Sequence, residues 1–104
     1  MKLYIDDERN PKGKFDIITR SSESTIKWMI DNGCPSFISF DHDLGGEDTS
    51  MIIVKWMVER DMDLREEDSF FIPQNFEFNV HSANPVGSLN LNSYLNSYLN
   101  SLKK

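Results

Sequence analysis

"SFISFDHDLGGED", residues 36–48, is the stretch on which the fold turns. An apolar run through Phe37, Ile38 and Phe40 stops at Asp41-His42-Asp43, and two glycines and two more acids follow. A short apolar run bounded by turn signals reads as a buried strand. Gly45-Gly46 lets the chain turn sharply, and helical spacing resumes beyond it. A strand, a charged elbow and a helix make half of a βαβ unit. In open α/β sheets, ligands bind outside the carboxyl ends of the strands, where this charge gathers.

Toward the N-terminus, residues 2–6, "KLYID", read as a short strand that also runs into acid, at Asp6-Asp7. "ERNPKGK" is a turn, punctuated by Asn10-Pro11 and Gly13. Residues 14–21, "KFDIITRS", form a second strand rich in β-branched residues, and Arg20 stands near its end. "SSESTIKWMIDNG" predicts a helix capped by Ser21 or Ser22, with Glu23 in its first turn. Ile26, Met29 and Ile30 share one face, and Gly33 stops it.

Toward the C-terminus, a second helix is predicted over residues 49–61, with Asp48 or Thr49 as cap. Ile53, Trp56, Met57 and Arg60 recur there at helical spacing. "DMDLREEDSFFIP" reads as a loop entering a short extended piece. Residues 75–82, "NFEFNVHS", alternate as a strand, with Phe76, Phe78 and Val80 on one face. The tail "SLNLNSYLNSYLNSLKK" is a terminal amphipathic helix with a stripe of Leu91, Leu95, Leu99 and Leu102, joined by Tyr94 and Tyr98. Asn and Ser are mediocre helix formers, so packing must hold it.

The order strand, strand, helix, strand, helix, strand, helix predicts a small α/β domain over residues 1–104, a mostly parallel sheet with helices on its faces. The first two strands are joined by about seven residues, too few for a helical crossover. They either pair antiparallel or lie side by side across a bent loop.

Composition bounds the function. The chain has 104 residues, 38% of them hydrophobic, enough for one core. Eleven Lys and Arg stand against seventeen Asp and Glu, a net charge of −6. That balance argues against non-specific binding of duplex nucleic acid or anionic membranes, which favour basic surfaces. No apolar stretch reaches membrane length. "MKLYIDDERNP" turns acidic too soon for a signal peptide. Cys34 is the sole cysteine, set between Gly33 and Pro35, and reads as a small filler. A reducing, cytoplasmic setting is expected.

Three strands end in polar clusters: Asp6-Asp7, Asp41-His42-Asp43, and His81-Ser82 followed by Asn84. If these strands are parallel, the clusters share one rim. Crowded carboxylates repel, and a cation relieves that cost. Asp6, Asp7, Asp41 and Asp43 are therefore candidate ligands for Mg²⁺ or Mn²⁺, which take hard oxygen donors and leave positions for phosphate oxygens. Acids after strands also cap helices and start Asx-turns, and Asp48, Glu8 and Glu47 read that way or as solvated. His81 or His42 is a candidate proton carrier. Arg20 is a candidate anion binder through its guanidinium fork. Free amides near Thr49-Ser50 are a further anion contact. Lys55 reads as solvent-facing, and Trp28 and Trp56 as packing groups.

Taken together, "LYIDDERNP", "IITRS", "ISFDHDLGG" and "VHSANPVG" resemble the cyclic-phosphate-processing receiver-like domains, relatives of response-regulator receivers, over nearly the whole chain. The motifs Asp-Asp-x-Arg-x-Pro, Asp-His-Asp-Leu and His-Ser-x-Asn-Pro carry the likeness. The resemblance implies a receiver-like, reduced flavodoxin-like fold of three layers with the site over the strand ends. It places Asp6 and Asp7 at a receiver's acidic metal-binding pair and Asp41 at its phosphoacceptor. Beside that likeness, Arg9, Arg20, Thr49, Ser82 and Asn84 are the candidate substrate-binding residues, and Asp41, His81, His42 and Arg20 the candidate catalytic set. The implied ligand is a small cyclic-phosphate nucleotide or an RNA end. The implied activity is metal-dependent phosphoester cleavage, with water or Asp41 as nucleophile; the alternative is a non-catalytic nucleotide- or protein-binding module. Two departures from receivers stand out: His81-Ser82-Ala83-Asn84-Pro85 replaces the Lys-Pro of the last strand, and no helix is visible between the first two strands. Within the family pattern, Ser50 follows Thr49 where a glycine is usual.

Overall fold

The structure is a computed structural model that describes residues 1–103. Four strands, β1 (Lys2–Ile5), β2 (Ile17–Thr19), β3 (Phe37–Phe40) and β4 (Glu77–Val80), alternate with helices α1 (Ser22–Asn32), α2 (Ser50–Arg65) and α3 (Pro85–Ser101). The strands form one sheet in the order β2-β1-β3-β4, and every pairing is parallel. This is a small flavodoxin-like receiver fold. The chain moves one way from β1 to β2 and the other way from β2 to β3, so the order reverses between β1 and β3. Such a switch point opens a crevice at the strand ends.

The direction of β2 is thereby decided. It runs parallel to β1, Leu3 beside Ile17 and Ile5 beside Thr19, and the link between them contains no helix. Asp16 secures the return by exchanging backbone and side-chain hydrogen bonds with Lys2.

The helices form a single row, α1 against α2 and α2 against α3. Right-handed crossovers put α1 and α2 on the same face of the sheet, and α3 joins them against α2 and β4. The core lies beneath that row: Leu3, Ile5, Ile38 and Phe40 from the sheet, Met29, Ile53, Val54 and Met57 from α1 and α2, and Leu91 and Leu95 from α3. The expected third layer is absent among the described residues. The opposite face carries Tyr4, Ile18, Phe37, Ser39 and Asn79 and has no helix among the described residues; the β1–β2 link, whose Phe15 packs on Tyr4 and Phe37, and the His81 ring lie over it. The missing helix between β1 and β2 would have lain there. Among the described residues, no helix is long and apolar enough to cross a membrane.

Several boundaries shift for identifiable reasons. The second strand is three residues long rather than residues 14–21, and the fourth covers 77–80 rather than 75–82, because only those segments have a partner strand at hand. Helix α1 has Ser21 as its cap within a reciprocal capping box with Ser24, but Ile30 points to solvent and Met29 alone of the predicted face is fully buried. Helix α2 continues to Arg65, so the start of the "DMDLREEDSFFIP" segment is helical. The cause is Asp61, fully buried, whose Oδ1 accepts from the N–H groups of Phe71 and Ile72 at 2.8 Å each. Its Oδ2 accepts from Arg65 Nε and Tyr98 Oη. One carboxylate thus ties α2, the following loop and α3 together. Helix α3 begins at Pro85, earlier than the tail pattern suggests, with Asn84 as its cap. Lys104, the last residue of the predicted tail helix, lies outside the described residues.

Candidate functional site

The parallel sheet brings the three polar clusters to one rim. Backbone bonds from Asp6 to Thr19, from Asp41 to Ile5 and from His81 to Phe40 extend the ladders one residue past the strands. One ligand atom each from Asp6, Asp41 and His81 lie within 4.8 Å of one another. A cleft of about 390 Å³ opens above them, lined by Asp6, Asp7, Glu8, Arg9, Asp41, Asp43, Gly45, Gly46, Ser82 and Ala83.

Asp6 is buried and fully engaged. Its Oδ1 accepts from the N–H groups of Glu8 and Arg9 at 2.9 and 2.8 Å. Its Oδ2 meets Arg9 Nε and His81 Nε2, each at 3.0 Å. Burial favours the neutral acid, but these partners together hold the carboxyl below the usual aspartate range. Asp41 is the contrasting case. It too is buried, and burial followed by the charge of Asp6 raises its pKa, with only partial relief from Ser82, His81 and Arg9. Arg9 reaches across both acids, with Nη2 at 3.7 Å from Asp41 Oδ2. Its guanidinium also donates to the His81 carbonyl at 3.2 Å.

His81 lies on the thinly covered face. Its ring stacks on Tyr4 with centroids 4.4 Å apart and planes 5° from parallel. Nδ1 stands 2.7 Å from Ser39 Oγ, which in turn lies 2.5 Å from Asn79 Oδ1. Both ring nitrogens are therefore occupied by protein atoms.

Other expected site residues have different positions. Arg20 does follow a parallel strand, but its guanidinium donates to the carbonyls of Asp6 and Arg9 and to Asn10 Oδ1. It braces the acidic loop from behind and is not among the residues lining the cleft. His42 is paired through Nδ1 with Asp43 Oδ1 at 3.0 Å and lies against Gly87, away from the cleft. Adjacent residues leave the strand end in divergent directions, which separates His42 from Asp41. Asn84 caps α3, accepting from the Gly87 N–H and donating to Asp43 Oδ2. Thr49 occupies the cap position of α2 without a side-chain bond and is not a cleft residue. The Ser50 N–H, expected to be free for an anion, donates to the His42 carbonyl at 2.8 Å. Asp48 does not cap α2; its carboxylate braces the first turn of α1, accepting from the N–H and hydroxyl of Ser22. Burial drives the Cys34 thiol up to about 12, which leaves it protonated and unreactive at neutral pH.

Ser39 and Asn79 also belong to the site, although neither is among the residues that the sequence singles out. A signal was present: Ser39 interrupts the apolar run of β3, and a buried hydroxyl requires a partner.

The four carboxylates Asp6, Asp7, Asp41 and Asp43 line one cleft, and Asp41 carries a charge that its neighbours only partly offset. That donor set fits a hard divalent cation. A family model described as the cyclic-phosphate processing Receiver domain matches residues 1–97. No curated protein and no solved structure matches significantly.

Proposed function

This chain belongs to the cyclic-phosphate processing receiver domain family, and from that premise we propose that it cleaves a cyclic phosphodiester of a nucleotide or an RNA end with a divalent metal bound in the acidic cleft. One observation carries the reading: Asp41, at the β1/β3 switch point, is a buried acid with a raised pKa beside the firmly ionised Asp6. Two carboxyls with pKa values pushed apart divide the work of holding charge and moving a proton.

Asp7 and Asp41 would hold Mg²⁺ or Mn²⁺, with Asp43 at the mouth of the cleft and Asp6 joining them once Arg9 leaves its Oδ2. Such an ion supplies Lewis acidity toward phosphate oxygens and offsets charge on the leaving oxygen. Asp41 accepts a proton from the water that attacks phosphorus. The new oxygen–phosphorus bond forms as one ring phosphorus–oxygen bond breaks, and the ring oxygen leaves as a hydroxyl, taking up, directly or through solvent, the proton that Asp41 received. The product is a phosphomonoester. Arg9, the cation nearest both acids, meets a phosphate oxygen as it swings from Asp41. Ser82 steadies the Asp41 carboxyl.

The alternative, a module that retains a nucleotide without turnover, draws support from Asp6 itself. Four protein donors already satisfy it, so the rim is partly neutralised without a metal.

The deciding experiment is ³¹P NMR of 2′,3′- and 3′,5′-cyclic nucleotides and cyclic-phosphate-ended oligonucleotides incubated with the protein, with and without Mg²⁺ or Mn²⁺. Metal-dependent replacement of a cyclic resonance by a monoester resonance is expected. No monoester resonance from any compound, alongside line broadening that reports binding, would favour the retention module.

A further inference from the structure

We propose that Ser39 and Asn79 are positioning residues that lock the His81 ring with its Nε2–H on Asp6. The inference rests on the functional reading only for what the lock serves; the lock itself is geometric.

Register places Tyr4, Ser39 and Asn79 side by side across β1, β3 and β4 on the face without helices. His81 follows Asn79 by two residues, so an extended chain returns its side chain to that same face. Ser39 is 3% exposed, and its hydroxyl bridges Asn79 Oδ1 and His81 Nδ1 at 2.5 and 2.7 Å. Tyr4 fixes the plane of the imidazole from one side. The remaining freedom is a half-turn of the ring about its Cβ–Cγ bond. That turn would replace both nitrogens by carbons and break the contacts to Ser39 and Asp6 together.

The identity of the atom facing Asp6 follows from the carboxylate. Three other donors, the N–H groups of Glu8 and Arg9 and the Nε of Arg9, already converge on it. The fourth contact is His81 Nε2 at 3.0 Å, and because a carboxylate oxygen only accepts, the hydrogen of that contact is assigned to Nε2. The ring therefore acts on the site through Asp6. It fixes Oδ2 from one side while Arg9 holds it from the other, and it leaves Asp41 as the acid open to reaction. Ser39 and Asn79 are the outer end of a chain running Asn79–Ser39–His81–Asp6. Partners that orient such groups typically contribute about 10- to 100-fold to activity or affinity.

The test uses the full chain labelled with ¹⁵N-histidine and no added metal. Long-range ¹H–¹⁵N correlation reads which His81 nitrogen carries hydrogen and how slowly it exchanges with water. The wild type should show a protonated, slowly exchanging Nε2. Ser39→Ala should speed that exchange and shift both ring nitrogens, while Ser39→Thr, which keeps the hydroxyl, should restore the wild-type pattern. Where turnover is measurable, Ser39→Ala should lower kcat about tenfold with KM within about twofold, and threonine should rescue it. If Ser39→Ala does not fold, Asn79→Ala, on the exposed edge strand, gives the same readout. Unchanged ring shifts and exchange in the alanine variants, or failure of threonine to restore them, would overturn the proposal. Absence of turnover in the wild type bears only on the enzymatic reading, since the NMR outcome stands without it.

Discussion

Gly87 packs directly on the imidazole of His42: a Cβ at residue 87 would stand 2.5 Å from His42 Cγ. The contact seats the first turn of α3 on the loop after β3 and holds His42 out of the cleft. Gly87→Ala ordinarily stabilises a helix by about 1 kcal/mol. Here the sign reverses, and a loss of about 1–3 kcal/mol is expected from overpacking. Urea unfolding of Gly87→Ala, His42→Ala and the double variant measures it. The double variant should be more stable than the sum of the singles requires; strict additivity would show that the two residues do not press on each other.

Asp61 predicts how the fold responds to acid. Burial works against its charge, but Arg65, Tyr98 and the N–H groups of Ile72 and Phe71 outweigh it and hold the carboxyl below its ordinary range. A carboxyl depressed in the folded state contributes stability above its unfolded pKa and loses it as pH falls through the folded value. Stability should therefore decline as pH drops below about 4, with Asp6 adding in the same direction. Asp61→Ala leaves Arg65 and two N–H groups without their acceptor and should cost about 3–5 kcal/mol at neutral pH. Asp61→Asn should flatten the acid limb of the stability curve. An unchanged limb would place the acid sensitivity elsewhere.

Asp41 should behave in the opposite sense. Its carboxyl is raised by burial and by Asp6, so the ionised form opposes folding at neutral pH. Asp41→Asn is expected to raise Tm, on the order of 4 °C for each ~1 kcal/mol relieved, while abolishing phosphoester cleavage. Thermal scans and the ³¹P assay on the same preparation check both halves. A lower Tm would mean that the carboxylate is a net stabiliser, and full activity would remove it from the mechanism.

Arg9 spans two of the acids that would hold a metal. A guanidinium and a divalent cation cannot both neutralise that pair at close range. Arg9→Met should therefore bind Mn²⁺ at least about threefold more tightly by titration calorimetry, with a larger metal-induced rise in Tm. It should also bind a cyclic nucleotide more weakly, because the phosphate loses its fork-shaped partner. Manganese affinity equal to that of the wild type would show that Arg9 does not stand in the ion's place.

Much of the fold was legible because periodicity reports burial. The apolar run of 36–40, the helical spacing of Ile53 and Met57, and the Leu91–Leu95 stripe each named a face that the structure buries. The acidic rim was legible for a related reason: strands that end in charge at a parallel sheet edge bring that charge together, as Asp6 and Asp41 do. What the chain order alone determined was thus the class of sheet, the presence of its helices and the rim where chemistry gathers.

The tertiary structure decided the rest, since side-chain partners distant in sequence have no local signature. The direction of β2 depended on a bent link that only pairing with β1 could orient. Arg20 resembles an anion binder until the carbonyls of Asp6 and Arg9 are found within its reach. Asp61 opens a charged stretch that reads as a loop, yet its partners Phe71, Ile72 and Tyr98 lie ten to 37 residues away. His81 looks like a free proton carrier until Ser39 and Asp6 claim its two nitrogens. Hydrophobic burial repeats along the chain and can be read from it, whereas a hydrogen bond is settled by the one partner that folding brings within about 3 Å.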